Sequence, residues 1–182
     1  MKDAIAFWHA EHAHFARLLN LFEKELGAYH EGEQPNYGLM RDIVFYLRHY
    51  PDRFHHPRED AVFARMVKHD PSLRAKVNRL LQEHRVISQA GDQLLDRLDQ
   101  VLGDAMVSRE ALEAAAATYL VYYRHHLNTE ERDMLPRAGE LLTDGEWKEA
   151  AASIPHGHDP LFGDHPEERF KELRRQIIRE AG

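Results

Sequence analysis

Histidine is the residue to start from. The chain carries 14 of them in 182 residues, more than its 8 Phe or 7 Tyr, and it has no cysteine. Imidazole titrates near neutral pH and ligates metals, so with no thiolate present it is the first place to look for chemistry. Two pairs have ligand spacing, His55 with Glu59 and His126 with Glu130. Residues four apart share one helix face, so each pair points an imidazole and a carboxylate the same way. Taken alone, either pair also fits a helix-surface contact worth about 0.2–0.5 kcal/mol. His12 and His84 fall on apolar stripes where a core would ordinarily take Leu or Ile. A single histidine of that kind is usually a hydrogen-bonded core residue. Six such groups on four helices are harder to bury, because an ionised carboxylate costs several kcal/mol inside a protein unless it is paired or bound to a metal. Imidazole with carboxylate and no thiolate suits iron or manganese, and zinc less typically. Carboxylates from opposite helices are natural bridges between two ions.

The same residues recur in order. Glu11-His12 returns 72 positions later as Glu83-His84, and His55/Glu59 returns 71 positions later as His126/Glu130. The chain therefore reads as two helical hairpins, each with a His on its first helix and His-x-x-x-Glu on its second. His56, His125 and Glu131 sit next to these positions. At about 100° per residue on a regular helix they are expected to face away, toward support positions or solvent.

The elements that position these groups are helical. Ile5, Trp8, His12, Phe15, Leu19, Phe22 and Leu26 form one stripe over residues 3–30, with Gly27 read as its stop. A second segment covers about 37–68, with a break expected near Pro51 and Pro57. Asp70-Pro71 caps a third helix, about 71–102, that carries His84, Ser88, Gly91 and, at its end, Leu102 on one face. Ser108 opens a fourth, about 108–138, bearing Tyr119, Tyr123, His126 and Glu130, with Pro136 near its end. A short helix from Thr143 or Asp144, a loop over 154–160 and an amphipathic helix over 167–180 complete the chain. The fold expected is all-α, an antiparallel up-down-up-down four-helix bundle over 1–140 with short C-terminal helices over 141–182. That extension, with Leu161, Phe162, Phe170, Leu173, Ile177 and Ile178, is read as packing on the bundle or forming a homodimer contact.

The pattern resembles the hemerythrin-like family, the HHE cation-binding domain. The likeness rests on Glu11-His12, on Phe54-His55-His56-Pro57-Arg58-Glu59-Asp60, on Glu83-His84, and on His126-Leu127-Asn128-Thr129-Glu130-Glu131 running to Leu135-Pro136. It implies a bundle enclosing two non-haem iron ions (Fe2+/Fe3+) joined by an oxo or hydroxo bridge, with dioxygen, nitric oxide or peroxide as the small ligand. Carried over by position, the ligands are His12, His55, Glu59, His84, His126 and Glu130. One departure stands out: where oxygen carriers have a second His one turn after the third-helix His, this chain has Ser88. One ion is then short of a donor, which leaves a water or an open position unless another residue fills it, His9 being the first candidate. Tyr119 and Tyr123 are read as donors to a bound ligand or as core aromatics. Ser88 and Gly91 either leave room beside the metals or pack helices closely.

Composition bounds the rest. A net charge of −7 with scattered basic residues argues against nucleic acid. No run approaches the roughly 20 apolar residues of a membrane span, and the first residues turn polar too soon for a signal peptide. The absence of cysteine is compatible with a reducing cytosol, so a cytoplasmic location is expected. His156-Gly157-His158 with His165 is read as a solvated loop or a surface metal site. Binding or sensing of a small molecule is the leading function. The alternatives are a redox enzyme reducing peroxide or nitric oxide, and a helical interaction protein stabilised by manganese, zinc or no metal.

Overall fold

The apolar stripes become eight α-helical stretches in the computed structural model, which describes residues 2–155 and 157–181. They are α1 (Lys2–His30), α2 (Tyr37–Tyr50), α3 (His56–His69), α4 (Arg74–Leu102), α5 (Arg109–Thr129), α6 (Leu135–Leu141), α7 (Asp144–Ala152) and α8 (Lys171–Ala181). Helices α1, α2, α4 and α5 form the ring of the bundle, with α1 against α2 and α5, and α4 against α2 and α5. The fold is the all-α bundle expected.

Polar caps set the boundaries. Asn36 accepts from the Leu39 N–H, Asp70 from Ser72, and Ser108 from Ala111. Thr143 and Glu146 make a reciprocal capping box at the start of α7. Gly27 does not stop α1, which continues one turn further, and Gly32, at φ +83, makes the left-handed turn out of it. Leu102, the last member of the third stripe, is half exposed rather than buried.

Two single π-helical turns interrupt the second and fourth segments, at Pro51–His55 and Glu130–Met134. In each, the residue just before a proline donates its N–H five residues back, from His56 to Pro51 and from Leu135 to Glu130. Pro57 and Pro136 lack an N–H, and their rings crowd the carbonyl four residues earlier, which widens the preceding turn. The break near Pro51 and Pro57 is as expected. Pro136 was read as marking the end of a helix; instead it sits in the first turn of α6, past a π turn that begins at Glu130.

Two apolar clusters fill the interior. One gathers Phe15, Phe22, Ile43, Tyr46, Leu94 and Tyr119 from the four bundle helices. The other gathers Trp8, Phe63, Met66, Leu80, Leu135 and Trp147, so α3, α6 and α7 close that end. Phe170, Leu173 and Ile177 join the first cluster, while Ile178 stays exposed. Among the described residues, no helix is long and apolar enough to cross a membrane. Between the clusters lies a polar layer. Along α1, His12 separates Trp8 from Phe15; along α4, His84 separates Leu80 from Ile87. Phe22 is fully buried in the first cluster, so Phe22→Ala is expected to cost about 3–5 kcal/mol, read as a lower urea midpoint with native helicity retained. A loss under about 1 kcal/mol would mean this end of the bundle is loosely packed.

Candidate metal centre

The polar layer is built from all four hairpin arms. His12 comes from α1, His84 from α4, His126 from α5, Glu59 from α3, and His55 and Glu130 from the π turns. All six are buried, with His55, Glu59, His126 and Glu130 at 0% exposure. His56, the first residue of α3, is buried beside them.

The ring nitrogens fall into two groups. His12 Nε2 lies 2.8 Å from His55 Nε2, and these nitrogens lie 3.2 Å and 3.0 Å from Glu59 Oε1. His84 Nε2 is 3.6 Å from Glu59 Oε2 and 3.6 Å from Glu130 Oε1, while His126 Nε2 is 3.2 Å from Glu130 Oε1. The second oxygen of Glu130 turns back to His12, at 3.7 Å. Each carboxylate thus faces one oxygen to each group. His56, Glu59, His84 and His126 offer one donor atom apiece within 4.8 Å of one another, as do His12, His55 and Glu59.

These atoms lack protein partners. Glu59 Oε2, His84 Nε2, His126 Nε2 and both oxygens of Glu130 are buried with no hydrogen bond. Each unsatisfied buried group costs about 1–3 kcal/mol, more when charged, and five of them meeting at one place fit a cation.

The opposite ring nitrogens are all backed by acids. His55 Nδ1 donates to Glu11, at 2.8 Å, and Glu11 also accepts from Tyr50 and Arg58. His12 Nδ1 donates to Glu131 at 2.7 Å, His84 Nδ1 to Asp60 at 2.9 Å, and His126 Nδ1 to Glu83 at 3.3 Å. His56 Nδ1 lies 2.8 Å from Asp52. A carboxylate on Nδ1 fixes the tautomer that leaves Nε2 free to ligate, the arrangement common around protein metal sites.

Charge follows the geometry. Burial by itself would lower the His12 pKa, but Glu131, Glu59 and Glu130 raise it to about 10. Burial likewise opposes protonation of His84, while Asp60, Glu130 and Glu59 raise it to about 12. His55 is also raised, by Glu59 and Glu11 against burial. His56 moves the other way, well below the usual imidazole value, through burial and the neighbouring His84. Glu59 is held well below the carboxylate range because His55, His12 and His84 outweigh its burial.

With this arrangement in view, the comparison with known families is decisive: residues 3–138 match the hemerythrin HHE cation-binding domain. The chain belongs to that family. It is therefore a cation-binding helical protein, and its His/Glu groups could hold the ion. No curated protein matches it.

Several expectations change within this hemerythrin-type domain. His56 does not face away; it stacks on His84 with ring centroids 4.2 Å apart and joins the second group. The 100° rule fails because Pro51 and Pro57 replace the regular turn there. A usable signal was present: Asp52 stands one turn before His56, an acid within reach, as every other histidine of the centre has. His9, the expected substitute donor, instead donates to Glu131 from a half-exposed position. His125 is exposed, as read, and Glu131 supports His12. Gly91 is a close-packing residue, since a Cβ there would come within 3.2 Å of Tyr119. Ser88 lines an open cleft of about 300 Å³ with Arg48, Asp52, Asp60, Arg85 and the rings of His56 and His84. Tyr119 and Tyr123 are fully buried and their hydroxyls have no partner. Of the other histidines singled out, His156 lies outside the described residues, and His158 Nε2 donates to the His165 carbonyl.

Protonation and metal binding compete for His12 and His84 in the hemerythrin-type centre. Cation binding at pH 7 is expected to release about two protons per chain, and to tighten as pH rises from 6 toward the His12 value of about 10. Calorimetry in buffers of different ionisation enthalpy measures this, and an affinity independent of pH would refute it.

Proposed function

We propose that the chain holds two iron ions on His12, His55, His56, His84, His126, Glu59 and Glu130, and uses them to bind a small molecule such as dioxygen, nitric oxide or peroxide. The observation that carries this reading is the convergence of five buried, partnerless nitrogen and oxygen atoms between two histidine groups. The two-ion count follows from the carboxylates, each of which offers one oxygen to each side. Seven donors, five of them imidazole and none thiolate, suit iron better than a four-coordinate structural zinc.

Iron bound there would supply reversible redox change and a place for a small ligand. The protein's own residues do the rest. Glu11, Glu131, Asp60 and Glu83 hold the imidazoles in the tautomer and orientation that ligation needs. Phe15, edge-on to His55 at 5.0 Å, and Trp8, edge-on at 6.2 Å, keep water from one side. The His12–His55 group has one imidazole fewer than the group with His56, so it is the side with room for a ligand. His56 supplies from α3 the donor that Ser88 does not supply from α4.

Protein purified aerobically without added metal is expected to carry about two iron ions per chain with near-ultraviolet charge-transfer absorption. His84→Ala and Glu130→Gln should each lower that content, and full stoichiometry in either would refute the ligand set. Reversible spectral change with dioxygen marks binding, whereas steady consumption of peroxide or nitric oxide well above free iron marks turnover. His56→Ala should also lose iron, and adding Ser88→His should restore it by bringing an imidazole from α4. A His56→Ala chain with unchanged iron content would remove His56 from the set.

A further inference from the structure

A second concave site lies where the C-terminal extension crosses α2. It is a half-open pocket of about 370 Å³, within the range that takes small organic ligands. One wall comes from α2 and the π turn that follows it, with Phe45, Tyr50 and Phe54; the other comes from His158, Glu167 and Phe170. That second wall lies outside residues 3–138, so the pocket belongs to this chain and not to the family domain.

Among the described residues of the lining Arg53 is the one cation, and its guanidinium lies over the Phe54 ring. The other polar groups face a ligand with lone pairs: His49 Nδ1 donates to the Phe45 carbonyl at 2.8 Å, which leaves Nε2. His158 uses Nε2 to donate to the His165 carbonyl at 2.6 Å, which leaves Nδ1. Glu167 adds a carboxylate to the lining. Acceptors among aromatic walls would also suit an organic cation, but the rings already carry cations. The Arg169 guanidinium sits 3.4 Å from the centre of the Phe45 ring and that of Arg53 sits 5.2 Å from the Phe54 ring. A third positive charge is disfavoured, the Glu167 carboxylate in the lining opposes an anion, and a neutral ring bearing donors is what remains.

We propose that this pocket binds a small neutral aromatic ligand carrying hydroxyl groups, of the phenol or benzenediol class, seated against Tyr50. Occupation reaches the centre of the bundle through two hydrogen bonds. The Tyr50 hydroxyl donates to Glu11 Oε1 at 2.8 Å, and Glu11 Oε2 accepts from His55 Nδ1 at 2.8 Å. Any consequence for a bound metal rests on the assignment of His55 made above; the binding site itself does not.

The test uses metal-free full-length protein and resorcinol, whose meta hydroxyls do not chelate metals. Amide and side-chain NMR should show saturable shifts confined to His49, Tyr50, Phe54, His158 and Glu167 and, along the hydrogen-bonded route, Glu11 and His55, with Kd about 1 mM or tighter. 1,3-Dimethoxybenzene, with the same ring and no donors, should bind at least about fivefold more weakly, as should resorcinol to His49→Phe. His49 is exposed, so that variant should fold normally. In wild type the His55 ring resonances should shift on binding, and in Tyr50→Phe they should not. No saturation, or shifts elsewhere, overturns the site; equal binding of the dimethoxy compound overturns the ligand class; a His55 shift that survives Tyr50→Phe overturns the route. Because no metal is present, each of these failures is separate from a failure of the iron assignment.

Discussion

Two carboxylates at zero exposure, with three of their four oxygens lacking any hydrogen bond, set the terms for the rest of this molecule. Glu59 and Glu130 could not be left ionised in an apolar core without compensation of several kcal/mol. In the metal-free chain the compensation comes from imidazoles that keep their protons, which is why His12 and His84 are raised so far. A bound cation would replace those protons with a fixed positive charge. The apolar clusters lie on either side of this polar layer, and the cleft beside His56, His84 and Ser88 opens it to solvent.

The internal repeat explains how one layer can hold so many acids without chaos of orientation. Glu11 and Glu83, one residue before the first-helix histidines, support the second-helix histidine of their own hairpin, His55 and His126. Asp60 and Glu131, one residue after the second-helix glutamates, support the first-helix histidine of the other hairpin, His84 and His12. Supports within a hairpin and supports across hairpins thus alternate around the centre, and each locks a ring that the other hairpin needs. The symmetry fails at one place. His56 with Asp52 has its counterpart 71 positions on at Leu127 with Tyr123, apolar or uncharged in both places. That single break gives one group three imidazoles and the other two.

The bundle, most of its caps and the convergence of His12, His55, Glu59, His84, His126 and Glu130 on one place were legible in the sequence because regular helices convert spacing into direction, whereas the roles of Asp60 and Asp52 were not. His12, His84, Glu59 and Glu130 all lie where a 3.6-residue period puts them. Legibility ended where the period did. A π turn inserts a residue, so His55 and His56 both reach the interior although a regular helix would send them apart. Substituting His9 for the missing donor was an argument from α1 alone, and it failed because Glu131 claims that side chain. Whether Gly91 made space or closed it also depended on Tyr119 and Arg48, residues on two other helices.

The two π turns are better read as part of the site than as faults in the bundle. Each stands at the level of the polar layer, at the one place where a helix must present adjacent residues inward or turn a glutamate with both oxygens exposed to the centre. A proline two residues past the end of each turn stabilises the wide geometry by removing the hydrogen bond that would tighten it. Arg58 then spends its guanidinium on the Phe54 carbonyl, at 2.6 Å, and on Glu11, at 3.0 Å, so the same side chain holds the irregular backbone and the acid behind His55. The irregular backbone and the orientation of the His55 ring are thus tied to one another through Arg58. The C-terminal extension adds to that region from outside: Gly157 runs so close to the Phe54 ring that a Cβ would fall within 2.4 Å of it. The part of the chain beyond the family domain is therefore packed directly on the turn that carries Phe54 and His55.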